Sequence, residues 1–242
     1  HAVKAVDAGR GCIYLYGNYA GDVMNFDMGA EMAAEEGIRV ETVTVTDDVY
    51  SSKNIPDRRG VAGDFFVFKA AAAKAAMGAD LDEVVAAAKK ANANTRSMGV
   101  ALSSATHPAT GKAMFELADG DMDIGMGIHG EPGVRRGKLQ NADKVVDEIM
   151  SFILPDLPFE AGDEVAVMVN SLGATPLMDL HICYRRVAQI LDEKKIKIYS
   201  SLVGPYATTM DMCGMSITLM KLDSELKELL DYPCNAPYYV KK

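Results

Sequence analysis

Apolar and polar positions fall in short blocks along the chain, and their period switches repeatedly between two and about 3.6. The run Gly11-Cys-Ile-Tyr-Leu-Tyr-Gly17 is apolar and closed by glycines, which predicts a buried strand. Asn18–Asp22 reads as a turn, with Asp22 as the N-cap of a helix over Val23–Glu36 that Gly37 stops. Ile38–Thr46 is β-branched, with apolar positions at Ile38, Val40, Val43 and Val45, and predicts a second strand. Two alanine-rich segments, Asp64–Met77 and Leu81–Ser97, predict helices, the second capped by Asp80. Beyond them the pattern gives strands at Met98–Ser104, Asp121–Ile128, Glu164–Asn170, Ile196–Val203 and Ser216–Leu222. Helices are expected at Asn141–Leu154, Pro176–Lys194 and Asp223–Tyr232. Strands alternating with helices predict an α/β protein: two α/β domains with largely parallel or mixed sheets flanked by helices. A change of rhythm near Ser97 divides the chain into residues 1–97 and 98–242. His1–Arg10 reads as the tail of a helix ending at Gly9, so the chain is read as a fragment whose upstream segment is missing.

Composition narrows the class. Lys and Arg number 25 against 34 Asp and Glu, a net charge of −9, and no basic block exceeds two residues. Phosphate backbones and anionic membranes need clustered cations, so nucleic acid and membrane surfaces are excluded as expected partners. Cys12, Cys183, Cys213 and Cys234 lie far apart with no C-x-x-C pair, which suits a reduced, cytoplasmic-type protein. No apolar run approaches the ~18 residues of a membrane helix.

Histidine context separates the candidate chemistry. His181 sits within a helical pattern beside Leu180 and Ile182 and reads as structural; His107 precedes Pro108 in a loop; His1 is uninformative. His129 follows the apolar run Asp123–Ile128 and opens Gly130-Glu-Pro-Gly133. Glycines on both sides permit close approach of another molecule to the imidazole, and α/β sheets place ligands at strand C-termini. The competing reading is a histidine simply carried by a turn. Gly125-Met-Gly-Ile-His-Gly130 matches G-x-G-x-x-G, but Pro132-Gly133 prevents the helix that a pyrophosphate would need, and no phosphate-cradling G-x-x-x-x-G-K-[ST] exists. Metal-ligand spacings are absent too, so no metal and no cofactor is expected in this chain. Asp22 is the leading carboxylate, against the alternative that it only caps a helix. Arg58-Arg59 and Arg135-Arg136 are read as loop pairs, either solvated or meeting an anion. Met24, Met28 and Met32 are expected as soft core filler.

Five segments together resemble the dihydroxyacetone kinase family, specifically its substrate-binding K subunit. They are Gly17-Asn-Tyr-Ala-Gly-Asp-Val-Met-Asn-Phe26, Arg58-Arg-Gly-Val-Ala62, Gly125-Met-Gly-Ile-His-Gly-Glu-Pro-Gly133, Asn170-Ser-Leu-Gly-Ala-Thr-Pro-Leu177 and Gly214-Met-Ser-Ile-Thr-Leu219. The resemblance implies that His129 adds to the ketone carbonyl and holds dihydroxyacetone as a covalent hemiaminal. It also implies that Asp22 takes the proton of the hydroxyl to be phosphorylated. ATP or ADP with magnesium is implied on a partner nucleotide-binding L subunit, or a phosphotransferase-system phosphocarrier as the ultimate donor, and the chain is expected to form a homodimer. Two departures stand out: the family's upstream Gly-Gly-Gly-Ser-Gly-His-Glu-Pro segment is absent, and Gly17 occupies a position where many members carry lysine. These leave open a kinase subunit for another short ketose, such as erythrulose, or a ketose-sensing co-activator.

Overall fold

The computed structural model describes residues 1–242. In chain order the elements are α1 (Ala2–Val6), β1 (Cys12–Gly17), α2 (Ala20–Glu35), β2 (Val40–Val45), a 3₁₀ turn (Ile55–Asp57), α3 (Asp64–Ala76), α4 (Leu81–Ala93), β3 (Thr95–Ala101), β4 (Asp121–Ile124) and β5 (Arg135–Lys138). They continue as α5 (Ala142–Asp156), β6 (Glu164–Ser171), α6 (Leu177–Glu193), β7 (Lys197–Gly204), β8 (Gly214–Leu222), α7 (Ser224–Asp231) and a terminal ribbon of β9 (Cys234–Asn235) and β10 (Val240–Lys241).

Six strands form the main sheet in the order β5-β4-β3-β8-β6-β7, while β1 and β2 form a separate parallel pair. β6 is buried along nearly its whole length, and period-two geometry sends its side chains to opposite faces. Val165, Val167 and Val169 meet α5 and α6 through Val146, Ile149, Ile153, Leu180, Val187 and Leu191. Ala166 and Met168 turn the other way, into a core built by Phe66, Val67, Ala70 and Ala88 of α3 and α4 and Leu226 and Leu229 of α7. Val43 and Val45 of β2 belong to that same core, so the alanine-rich helices pack against both sheets. Small side chains on α3 and α4 let the two helices approach closely, which explains their composition. A parallel bridge between Asp48 and Ser97 also ties the end of β2 to β3.

The sheets are mixed. Within the six strands only β6 and β7 run parallel, because β3, β4 and β5 follow one another without an intervening helix and β8 inserts antiparallel between β3 and β6. The second alanine-rich helix ends at Ala93 rather than Ser97: Asn94 terminates it, and Thr95–Ala101 is recruited into pairing with β8. The expected division near Ser97 therefore falls inside β3. Asp22 is not an N-cap. Helix α2 begins at Ala20 behind an extended Tyr19 (φ −123°, ψ 134°), and Asp22 lies within its first turn. Nor are the methionines of α2 core filler: Met24, Met28 and Met32 are 68%, 54% and 62% exposed, and only Ala33 of that helix is buried. Pro176 is the N-cap of α6, and His181 sits on its solvent face. All four cysteines are unpaired. No helix is long and apolar enough to cross a membrane.

Candidate functional site

Three of the five sequence segments meet directly around one turn. β4 stops at Ile124, four residues earlier than its pattern predicts, because Gly125 adopts φ +79° and takes the chain out of the sheet. The Gly125 amide still donates to the Gly99 carbonyl of β3 at 2.8 Å, which fixes the exit. The next residues close on themselves: the Gly127 N–H donates to the Glu131 carbonyl at 3.1 Å, and the Gly130 N–H to the Gly127 carbonyl at 3.2 Å. His129 stands at the tip, its side chain 60% exposed. Its Nδ1 lies 3.1 Å from Oε1 of Glu131, while its backbone N–H donates to Oε2 of the same carboxylate at 3.1 Å. The Tyr19 ring meets the imidazole edge-to-face, with centroids 4.5 Å apart and planes at 73°. From below, the Thr209 hydroxyl donates to the Ile128 carbonyl.

The segment at β1 supplies the other wall. Asn18 donates from Nδ2 to the Pro56 and Arg58 carbonyls at 2.9 and 2.8 Å, and the Tyr19 hydroxyl donates to the Gly60 carbonyl at 2.9 Å. Burial and the nearby Glu131 carboxylate push the Tyr19 phenol well above its ordinary range, so it remains a neutral donor. Backbones touch here: a Cβ on Gly60 would lie 2.4 Å from Gly17 Cα, whereas one on Gly17 would meet Gly60 O and the Tyr19 ring at 3.1 Å each. Asp22 follows Tyr19 by one helical turn. It is half-buried above Tyr16, whose hydroxyl is buried without a partner and whose phenol is pushed up by burial and by Asp27 and Asp22. Tyr19, at the start of α2, thus joins the helix bearing Asp22 to the turn bearing His129.

Arg58 and Arg59 are structural rather than solvated or free for an anion, whereas the Arg135 and Arg136 side chains stay half exposed. Arg58 forms a two-pronged pair with Asp156 at 2.7 and 2.6 Å, and Arg96 reaches the same carboxylate at 2.5 Å. Arg59 grips Asp48 at 2.8 and 3.1 Å and donates to the Gly125 carbonyl at 2.7 Å, steadying the base of the His129 turn. Burial raises the Asp48 carboxyl to about 6, against the opposing pull of Arg59. Arg135 and Arg136 lie in β5, paired with Glu148 and Asp123.

The two remaining segments buttress the site. The buried Asn170 side chain accepts from the Tyr206 and Ala207 amides at 2.9 and 2.8 Å and donates to the Ala207 carbonyl at 2.7 Å, shaping the loop that carries Thr209. Thr175 bridges to Gly214, donating from Oγ1 to its carbonyl at 2.6 Å and accepting its N–H at 2.8 Å. Behind the turn, Ile128, Met126, Ala62, Asn170, Ala207 and Ser216 help line a tight cavity of about 10 Å³, room for about one water. None of the principal cavities is lined by His129 or Asp22; the most apolar, about 220 Å³, lies between β3, α5 and α6 and is lined by Cys183 and Cys213. No group of three or more His, Cys, Asp or Glu could hold a metal ion. His107 stays in its own exposed turn, its carbonyl accepting the Thr110 and Gly111 amides. Sequence reasoning missed Glu131, Tyr19 and Thr209. The first two lay inside quoted motifs, and their contact with His129 is the only signal separating them from ordinary turn residues.

Comparison with known proteins places this arrangement. Residues 1–238 match the Dak1 domain. The protein described as "PTS-dependent dihydroxyacetone kinase 2, dihydroxyacetone-binding subunit DhaK" of Listeria innocua serovar 6a is 66% identical over 239 residues, covering 99% of this chain and 72% of its own. Among solved structures, the "Dihydroxyacetone kinase operon co-activator Dha-DhaQ" superposes with a TM-score of 0.92 at 28% identity, covering 99% of this chain and 75% of that one. The dihydroxyacetone kinase of C. freundii superposes at 0.84 with 36% identity, over 95% of this chain and 42% of that one.

Proposed function

The chain belongs to the Dak1 domain family, and from that membership we propose that it is the dihydroxyacetone-binding subunit of a dihydroxyacetone kinase, a phosphotransferase with an alcohol acceptor. The 66% identity to a PTS-dependent subunit carries the reading. The site chemistry supports it. A small ketone binds weakly through hydrogen bonds alone, and covalent capture turns a diffusing molecule into a fixed reactant. His129 is reachable from solvent, and its Nδ1 is occupied by Glu131, which leaves Nε2 for the carbonyl carbon. Asp22 then accepts the proton of the substrate hydroxyl as the phosphoryl group arrives in line. The phosphate comes from a separate nucleotide-binding subunit carrying ATP or ADP with magnesium, recharged by a phosphocarrier. The active species is a cytoplasmic homodimer.

Full-length protein is mixed with [2-¹³C]dihydroxyacetone and followed by carbon NMR and native mass spectrometry. The expected result is a tetrahedral labelled carbon and a mass adduct, both lost in His129→Ala. Asp22→Asn keeps the adduct and loses turnover when the nucleotide-binding subunit is supplied. An adduct that survives His129→Ala refutes the assignment of the nucleophile, and full turnover in Asp22→Asn refutes that of the base. A co-activator shows capture without transfer, and an erythrulose kinase turns over the four-carbon ketose faster.

A further inference from the structure

Glu131 has no assigned part in this chemistry, yet it meets His129 twice with one carboxylate. Oε2 takes the backbone N–H and Oε1 faces ring Nδ1, each at 3.1 Å. The turn is built to admit it: a Cβ on Gly127 would lie 2.2 Å from Glu131 Oε2, so only glycine leaves the space the carboxylate fills. The same point lies 2.9 Å from Arg59 Nη1, which places a cation close to the carboxylate. Arg59 donates from Nε and Nη2 to Asp48 and Gly125, and its Nη1 makes no hydrogen bond to Glu131, whose carboxylate faces the imidazole instead.

We propose that Glu131 is a positioning residue that sets the tautomer of His129 and takes the ring proton during ketone capture; the capture step rests on the function proposed above. A neutral imidazole carries one proton, on either nitrogen, and only the bare nitrogen has a lone pair in the ring plane to donate. An ionised carboxylate at Nδ1 can only accept, so it draws the proton there and bares Nε2. In the addition the Nε2 lone pair forms the bond to the carbonyl carbon, and the carbon–oxygen π pair moves onto oxygen, which takes a proton from solvent. The ring becomes cationic, with Nδ1–H against the carboxylate as a charge-assisted hydrogen bond. Transfer of the Nδ1 proton to Glu131 leaves a neutral, N-substituted imidazole, and the reverse sequence frees the ketone. The Tyr19 ring edge restrains the plane in which this happens.

The experiment compares wild type with Glu131→Gln, an isosteric change whose amide oxygen can still take the His129 amide. Nitrogen NMR of ¹⁵N-histidine-labelled protein, with His129→Ala for assignment, reads which ring nitrogen carries the proton in the free protein. Labelled dihydroxyacetone reads the rate of addition, and thermal melting checks the fold. Wild type is expected to carry the proton on Nδ1. In Glu131→Gln the amide NH₂ donates to Nδ1, the proton moves to Nε2, and addition slows on the order of 100-fold with the melting temperature held. An unchanged tautomer and addition rate in Glu131→Gln overturns the proposal. If wild type forms no adduct at all, covalent capture fails, and the tautomer of the free protein still decides the role of Glu131.

Discussion

Asp64 offers a quantitative test of how this fold is balanced. It begins α3, where a helix N-terminus ordinarily favours a carboxylate. The amides available there are already taken: Asp47, fully buried, accepts from Val61 and Gly63 at 2.8 and 2.7 Å. Asp64 is left with a buried Oδ1 that has no partner, beside a second carboxylate. Burial first, and repulsion from Asp47 second, raise it from 3.8 to about 8. The folded protein therefore holds a proton there that the unfolded chain releases near pH 4. Because the folded value is the higher one, stability falls as pH rises between about 4 and about 8, by up to about 1.4 kcal/mol per unit. For a chain of this size that is a loss of roughly 3–6 °C in melting temperature per unit. Asp48, raised to about 6, and Asp47, also raised, act in the same sense, so the part due to Asp64 is read above about pH 6 as the difference between wild type and a variant lacking its carboxyl. Scanning calorimetry of wild type and Asp64→Asn between about pH 6 and 8 should show a steeper decline in wild type than in the variant. Two parallel declines would refute the reasoning.

Two further changes probe the supports of the site and the core. Thr209→Val removes the hydroxyl that donates to the Ile128 carbonyl at a 4% exposed residue; it should raise the KM for dihydroxyacetone about tenfold, with Thr209→Ser close to wild type in the coupled kinase assay. Asp156→Asn leaves the buried Arg58 and Arg96 guanidiniums without their shared anion; urea titration should show a loss of about 3 kcal/mol with the denaturant slope unchanged.

Most of the helices and buried strands were legible because their patterns are locally consistent. Asp80, Asn141 and Asp223 each cap a helix as their residue types predict, accepting from Glu83, Lys144 and Leu226. The failures came where tertiary contact overrode local preference. Asp22 looked like a cap because carboxylates favour helix starts, but Tyr19, with no capping oxygen of its own, begins α2; its ring is held by His129 and its hydroxyl by Gly60. Strand β5, with two arginines in four residues, carries no apolar signal and exists through pairing with β4. His129 could be singled out from its glycines. Its partners could not, because a carboxylate two residues away and a tyrosine 110 positions upstream become neighbours only once the turn closes.

The contact between Gly17 and Gly60 also sets which evolutionary steps are open to this protein. Position 60 is locked, since any side chain there would overlap the neighbouring main chain at 2.4 Å. Position 17 is only crowded, at 3.1 Å, so a shift of a few tenths of an ångström would admit a side chain. A lysine at the first position would therefore be accommodated by a small local adjustment, whereas any side chain at the second would force the two main chains apart.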